Sequence, residues 1–153
     1  MKSNTPEKSL ENYLRENIPI SAAMNIGVDL ASSKEIILSA PISININHKR
    51  TVFGGSLHAV ATLACWSLLH VNFQTLKENF QIVITKSETS YLAPVATDFK
   101  AECTLPNPSD WELFIYRLQK KGKARIKLSA QIFQYDQLCV DYSGTFAAIK
   151  IIN

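Results

Sequence analysis

Between residues 45 and 73 a polar loop, a pair of glycines and a long apolar run follow one another. The loop Asn45-Ile46-Asn47-His48-Lys49-Arg50-Thr51-Val52-Phe53-Gly54-Gly55-Ser56 leads into a helix expected over Leu57 to Phe73. The first four N–H groups of a helix lack an internal partner and sit at the positive end of its dipole. Gly54 and Gly55, having no Cβ, let a ligand oxygen come close to those donors. Such a helix start suits a carbonyl that must become an oxyanion. The plainer alternative is a turn, with Ser56 capping the helix.

Histidine can move protons near neutral pH because its unperturbed pKa is ~6.5. His58 falls in the first turns of the helix, and Thr62 lies one turn further on, about 40° away around the axis at 100° per residue. His48 is in the loop, and His70, near the helix end, is expected to meet the terminal carbonyls. Asn47 is placed either to orient a water or to bond the loop backbone. No Asp or Glu occurs between Glu35 and Glu78, so a base must be a histidine or a carboxylate from elsewhere, with Glu88 and Asp98 as candidates. Cys65 has no activating partner nearby and reads as a core thiol. Trp66, Leu63 and Leu69 either line an apolar pocket or pack the core. The basic run Lys120, Lys121, Lys123, Arg125 and Lys127 is either a solvated face or a contact for phosphates.

The elements that must position these residues follow from periodicity. Thr5-Pro6 starts a short amphipathic helix with Leu10, Tyr13 and Leu14 on one face, ending near Glu16. Met24 to Leu30 and Ile36 to Ile42 read as strands. The central helix is apolar nearly all round and is therefore expected to be buried nearly all round. It is too interrupted by His58, Thr62, Ser67 and His70 to cross a membrane. Strands are expected from Ile82 to Leu92, Val95 to Leu105, Trp111 to Gln119, Ala124 to Ile132 and Leu138 to Ile151. Lys120-Lys121-Gly122-Lys123 is read as a hairpin turn. The expected fold class is α+β, with one antiparallel sheet curling around the apolar helix.

The 153 residues suit one domain, 1–153, with residues 1–17 as the N-terminal short helix. A hydrophobic share of 46% and a charged share of 19% are those of a globular chain, and a net charge of +3 does not call for nucleic acid. The three cysteines, Cys65, Cys103 and Cys139, sit in apolar patterns and read as reduced thiols. The first residues hold no apolar signal region, so a cytoplasmic location is expected.

Ala40-Pro41, Asn45-Ile46-Asn47, Thr51, Phe53-Gly54-Gly55-Ser56-Leu57, Ala64 with Trp66, Tyr91-Leu92-Ala93-Pro94-Val95 and Asp98-Phe99 carry a resemblance. From about Ile18 onwards the chain resembles the hotdog-fold thioesterase superfamily. Within it the chain is most similar to the thioesterase-like domain that follows an acetyltransferase domain in some bacterial proteins, the YiiD C-terminal type. The resemblance implies a homodimer joined sheet to sheet, possible pairing into a tetramer, and sites at the subunit interface. It also implies an acyl-CoA or acyl-carrier thioester as substrate and no cofactor beyond that coenzyme A moiety. No metal, membrane or nucleic acid is expected.

Under this reading Asn47, Gly55, His58 and Thr62 are the catalytic candidates. Phe53, Gly54, Ser56, Trp66, Lys120, Lys121, Lys123 and Arg125 are the substrate-binding ones. In the related phenylacetic-acid-pathway thioesterases an Asn precedes the first glycine by seven residues, as Asn47 does here; their helix aspartate corresponds to Thr62. That departure leaves three functions to weigh: thioester hydrolysis, acyl-thioester binding without cleavage, and a hydratase or dehydratase. The last ranks lowest, because it pairs a histidine with a carboxylate that the helix lacks.

Overall fold

A computed structural model describes residues 4–152 of the chain. Among these the order is α1 (Pro6–Asn17), α2 (Ile20–Ala23), β1 (Gly27–Ala31), β2 (Glu35–Ala40), α3 (Ile42–Asn45), α4 (Gly54–Phe73), β3 (Phe80–Tyr91), β4 (Phe99–Thr104), α5 (Pro108–Lys121), β5 (Lys123–Gln134) and β6 (Gln137–Lys150). The six strands form one sheet in the order β1-β2-β4-β5-β6-β3, with every pairing antiparallel. Its inner face, including Ile36, Leu38, Ala101, Cys103, Leu128, Ile132, Val140 and Phe146, closes on Val60, Ala61, Ala64, Cys65 and Leu68 of α4. The expected sheet around one buried helix is therefore present. All three cysteines are free and buried, and burial, with Cys103 beside it, pushes the Cys65 thiol well above its usual range. Among the described residues no helix is long and apolar enough to cross a membrane.

The sheet's two edges differ. At β1, α1 lies alongside, and the N–H groups of Val28 and Ala31 donate to Glu11 Oε1 (3.1 Å) and Glu7 Oε2 (3.0 Å). Glu7 and Glu11 are four apart and share a helix face. Burial works to raise the Glu11 pKa, but the Lys8 ammonium and the Val28 N–H outweigh it and hold the carboxyl below its usual range. At the other edge β3 pairs only with β6, so its outer backbone groups have no strand partner among the described residues.

Four expectations need correcting. Residues 111–119 form not a strand but most of α5. Asn107 caps it by accepting from Asp110 N (3.0 Å), Pro108 opens it, and Trp111, Phe114, Ile115 and Leu118 make a helical stripe whose Phe114 stacks on Phe73. The expected hairpin at Lys120–Lys123 is accordingly the end of α5, where Gly122 takes the left-handed conformation (φ 74°) that favours glycine after a helix. The aromatic and β-branched content of 111–118 favoured a strand; the 3.6-residue stripe and the caps decide for a helix. Around Met24, Ile42 and Val95 the expected strands are shorter: Met24 is the C-cap of α2, α3 occupies residues 42–45, and β4 begins only at Phe99. Finally, α4 begins at Gly54 with no side-chain cap, so Ser56 lies inside the helix, its N–H donating to Phe53 O (2.9 Å).

Candidate active site

α4 starts where Asn45 and Phe53 close a loop. The Phe53 N–H donates to Asn45 O (2.7 Å), and the buried Asn45 amide donates to Met24 O (3.1 Å) and Pro41 O (2.8 Å). Within the loop Asn47 Oδ1 accepts from Lys49 N (2.8 Å) and Thr51 N (3.2 Å), while its Nδ2 donates to Thr51 Oγ1 (3.0 Å). Both ends of the Asn47 amide thus shape the turn that delivers Phe53 and the glycines. Ser56 and Leu57 N–H already donate to Phe53 O, which leaves Gly54 and Gly55 as the unpartnered donors of the first turn among the described residues. A Cβ on Gly55 would lie 2.3 Å from Cε2 of the Phe53 ring, so that ring rests directly on the glycine backbone. Phe53 itself is 56% exposed.

One turn along, His58 faces β3. Its Nδ1 lies 2.6 Å from Thr89 Oγ1, its Nε2 lies 3.3 Å from Ser87 Oγ, and the Tyr142 ring stands edge-on to it at 5.4 Å and 82°. A hydroxyl both donates and accepts, so the neutral imidazole can carry its proton on either nitrogen and remain held. Further along the strand Tyr91 Oη donates to Gly54 O (3.0 Å). Alternate residues 87, 89 and 91 therefore all meet the first turns of α4. The Thr62 hydroxyl donates back to His58 O (2.8 Å), a common habit of threonine inside a helix. Beneath this cluster burial raises the Tyr142 phenol, and Tyr142 Oη has no hydrogen-bond partner among the described residues.

A bulge in β3 makes this arrangement possible. Its pairing with β6 shifts between Ile84 and Lys86: Ile84 opposes Phe146 and Lys86 opposes Thr145, leaving Thr85 over. Before the bulge Ile82 and Ile84 face the helix; after it Ser87 and Thr89 do. Unbroken alternation would have aimed Lys86 and Glu88 at His58 instead. Glu88 is in fact exposed on the far face, paired with Lys86 at 3.3 Å. Asp98 is spent accepting from Ile42 N (2.9 Å).

His58 and Ser87 stand at the polar end of a groove of about 440 Å³ whose remaining lining is almost wholly apolar. Thr62, Leu63 and Trp66 line it from α4, Ile82 and Ile84 from β3, and Ser21 and Met24 from in and around α2. The structure thus brings together His58, Thr62 and Trp66, with the glycines one turn away. Leu69 is instead fully buried core. His48 is exposed in the loop. His70 does not meet the terminal carbonyls: its ring packs beside Trp66 (5.0 Å, 13°) and Tyr13 (4.3 Å, 28°), which are themselves 6.3 Å apart, and burial lowers its pKa. Lys120 and Lys121 are exposed in the last turn of α5. Lys123 and Arg125 project from the outer face of β5, opposite the buried Ile126 and Leu128, and none of the four lines the groove. Among the described residues no three His, Cys, Asp or Glu side chains converge as a metal site would require. Ser87 and Thr89 were missed in the sequence because only the bulge turns them inward.

A six-stranded antiparallel sheet wrapped around one buried helix, with a polar site at the helix start, defines a hotdog-fold protein of the thioesterase type. Residues 7–150 match the family described as "Putative thioesterase (yiiD_Cterm)", and the chain belongs to that family. A solved protein of unknown function from Chlorobaculum tepidum is 31% identical, with 96% of this chain and 98% of that one covered at a TM-score of 0.89. A protein described as a "putative thioesterase" from Shewanella oneidensis is 29% identical over 94% and 96% of the two chains, at a TM-score of 0.83. A Pseudomonas aeruginosa protein of unknown function, 16% identical over 96% and 97%, shares the fold at a TM-score of 0.80.

Proposed function

We propose that this protein hydrolyses an acyl thioester, carried on coenzyme A or an acyl-carrier protein, and does so as a homodimer. The observation that carries the reading is His58, clamped by two hydroxyls at the polar end of an apolar groove and one turn from unpartnered helix N–H groups. In the proposed reaction the thioester carbonyl accepts from Gly54 or Gly55 N–H, aided by the helix dipole. A water held against the Ser87 hydroxyl attacks the carbonyl carbon while His58 takes its proton. The carbon–sulfur bond then breaks, and the protonated His58 returns that proton to the departing thiolate. Thr89 orients the ring throughout, and Asn47 acts by shaping the loop that presents the glycines.

The dimer is supported by the unpartnered edge of β3 and by the exposed apolar side chains beside it, Ile84 (43%) and Tyr91 (54%). A second reading, an acyl-thioester-binding protein, is favoured by the absence of any Asp or Glu from the groove lining. Thiol release from a panel of acyl-CoAs, measured with wild type and His58→Ala, separates the two. Hydrolysis that His58→Ala abolishes supports the enzyme; binding without release in the wild type supports the second reading.

A further inference from the structure

Along α4 the lining of the groove stops at one residue. Trp66 is the last α4 residue in its lining, eight residues beyond His58, or ~12 Å at 1.5 Å per residue. The next turn supplies no further groove wall. There the His70 ring lies 5.0 Å from the indole, and the Tyr13 ring of α1 lies 4.3 Å from His70 and 6.3 Å from the indole, all three near-parallel. Two rings from two helices, each near-parallel to the indole and both within 6.3 Å of it, therefore pack against the Trp66 side chain and restrain it from swinging aside. On the opposite wall Ile82 and Ile84 continue the apolar lining from Ser87, running the same way from the polar end.

A straight acyl chain fits this length. Carbon–carbon bonds of ~1.52 Å at ~111° advance about 1.25 Å per carbon when extended, so ~12 Å accommodates about ten carbons. Resting on the hydrolase reading above, we propose that the site measures its substrate: it takes straight medium-chain acyl groups, octanoyl to decanoyl, with the terminal methyl against Trp66. Trp66 is then the specificity-determining residue, and His70 and Tyr13 are positioning residues that hold it. Each methylene buried along the groove adds about fourfold to kcat/KM until the chain meets the indole. Longer chains must bend or displace the stack, and the gain reverses.

The test is a kcat/KM profile over straight-chain acyl-CoAs from acetyl to palmitoyl for wild type, Trp66→Ala, Trp66→Phe and Tyr13→Ala. The wild type is expected to peak at octanoyl to decanoyl. Trp66→Ala should move the peak toward lauroyl or myristoyl, Trp66→Phe should move it less, and Tyr13→Ala should broaden it on the long side. A wild-type optimum at acetyl to butyryl or at palmitoyl overturns the proposal, as does an unshifted optimum in both Trp66 variants. Trp66→Phe and Tyr13→Ala keep the test open if Trp66→Ala fails to fold. If no acyl-CoA is cleaved, the hydrolase reading fails on its own, and calorimetric binding of S-alkyl-CoA thioethers then reads the length gauge separately. Affinity peaking at S-octyl to S-decyl in the wild type and shifting in Trp66→Phe upholds the gauge, and a flat or unshifted series overturns it.

Discussion

Replacing Thr89 by valine removes one oxygen and keeps the β-branched shape that suits a strand. What is lost is the 2.6 Å bond to His58 Nδ1, worth about 0.5–1.5 kcal/mol between half-buried neutral groups. His58→Ala loses that bond, the bond to Ser87 and the edge contact with Tyr142, about 2–3 kcal/mol together. The two substitutions share one interaction, so a double-mutant cycle measured by urea denaturation should return a coupling of about 1 kcal/mol. Turnover should separate them more widely. His58→Ala is expected to lower kcat by about 100-fold or more. Thr89→Val leaves the base but frees its ring, and a tenfold loss, equivalent to about 1.4 kcal/mol of orientation, is expected. Stabilities that add within about 0.3 kcal/mol, together with full turnover of Thr89→Val, would refute the idea that this hydroxyl holds a working histidine.

Hydrogen exchange along Phe80–Tyr91 should report the dimer: protection at consecutive amides if a second chain covers the β3 edge, protection at every other amide if it stays bare. Gly144→Ala should destabilise the fold by about 1–3 kcal/mol, since its Cβ would lie 2.6 Å from Tyr142 Oη and 2.8 Å from Phe146 Cε2; Tyr142→Phe in the same chain should recover part of that loss on thermal melting. Burial lowers the His70 pKa, so the unfolded chain takes this proton more readily than the folded one. The resulting penalty is absent above about pH 6.5 and grows as pH falls below it, and the melting temperature of wild type should drop more than that of His70→Gln between about pH 7 and pH 5.

Where a single periodicity governed a segment, the sequence was legible. The alternation of Ala124, Ile126, Leu128, Ala130 and Ile132 foretold β5, and the helix without a polar face foretold the buried α4. Residues 111–118 satisfied two patterns at once: strand by residue type, helix by spacing and caps. His58 was readable as a candidate from its place after the glycines. Its partners were not, because one extra residue at Thr85 reverses which side chains of β3 look inward, and no local pattern announces a bulge. The Trp66–His70–Tyr13 cluster joins residues far apart in the chain and could be seen only once α1 had brought Tyr13 to α4.

The contrast between the two sheet edges limits how many copies of this chain can associate through strand pairing. Among the described residues β3 is the one open border, since two N–H groups of β1 are occupied by Glu7 and Glu11 of the chain's own first helix. Two like borders meeting about a two-fold axis would use each other up, and such a pair would have no free border left on which a third copy could grow. Had β1 been left open, the same sheet would have been divalent, and antiparallel addition could have continued without end toward a filament. Those two carboxylates would therefore act as a stopper against assembly through β1, a duty carried by two hydrogen bonds accepted on one face of α1.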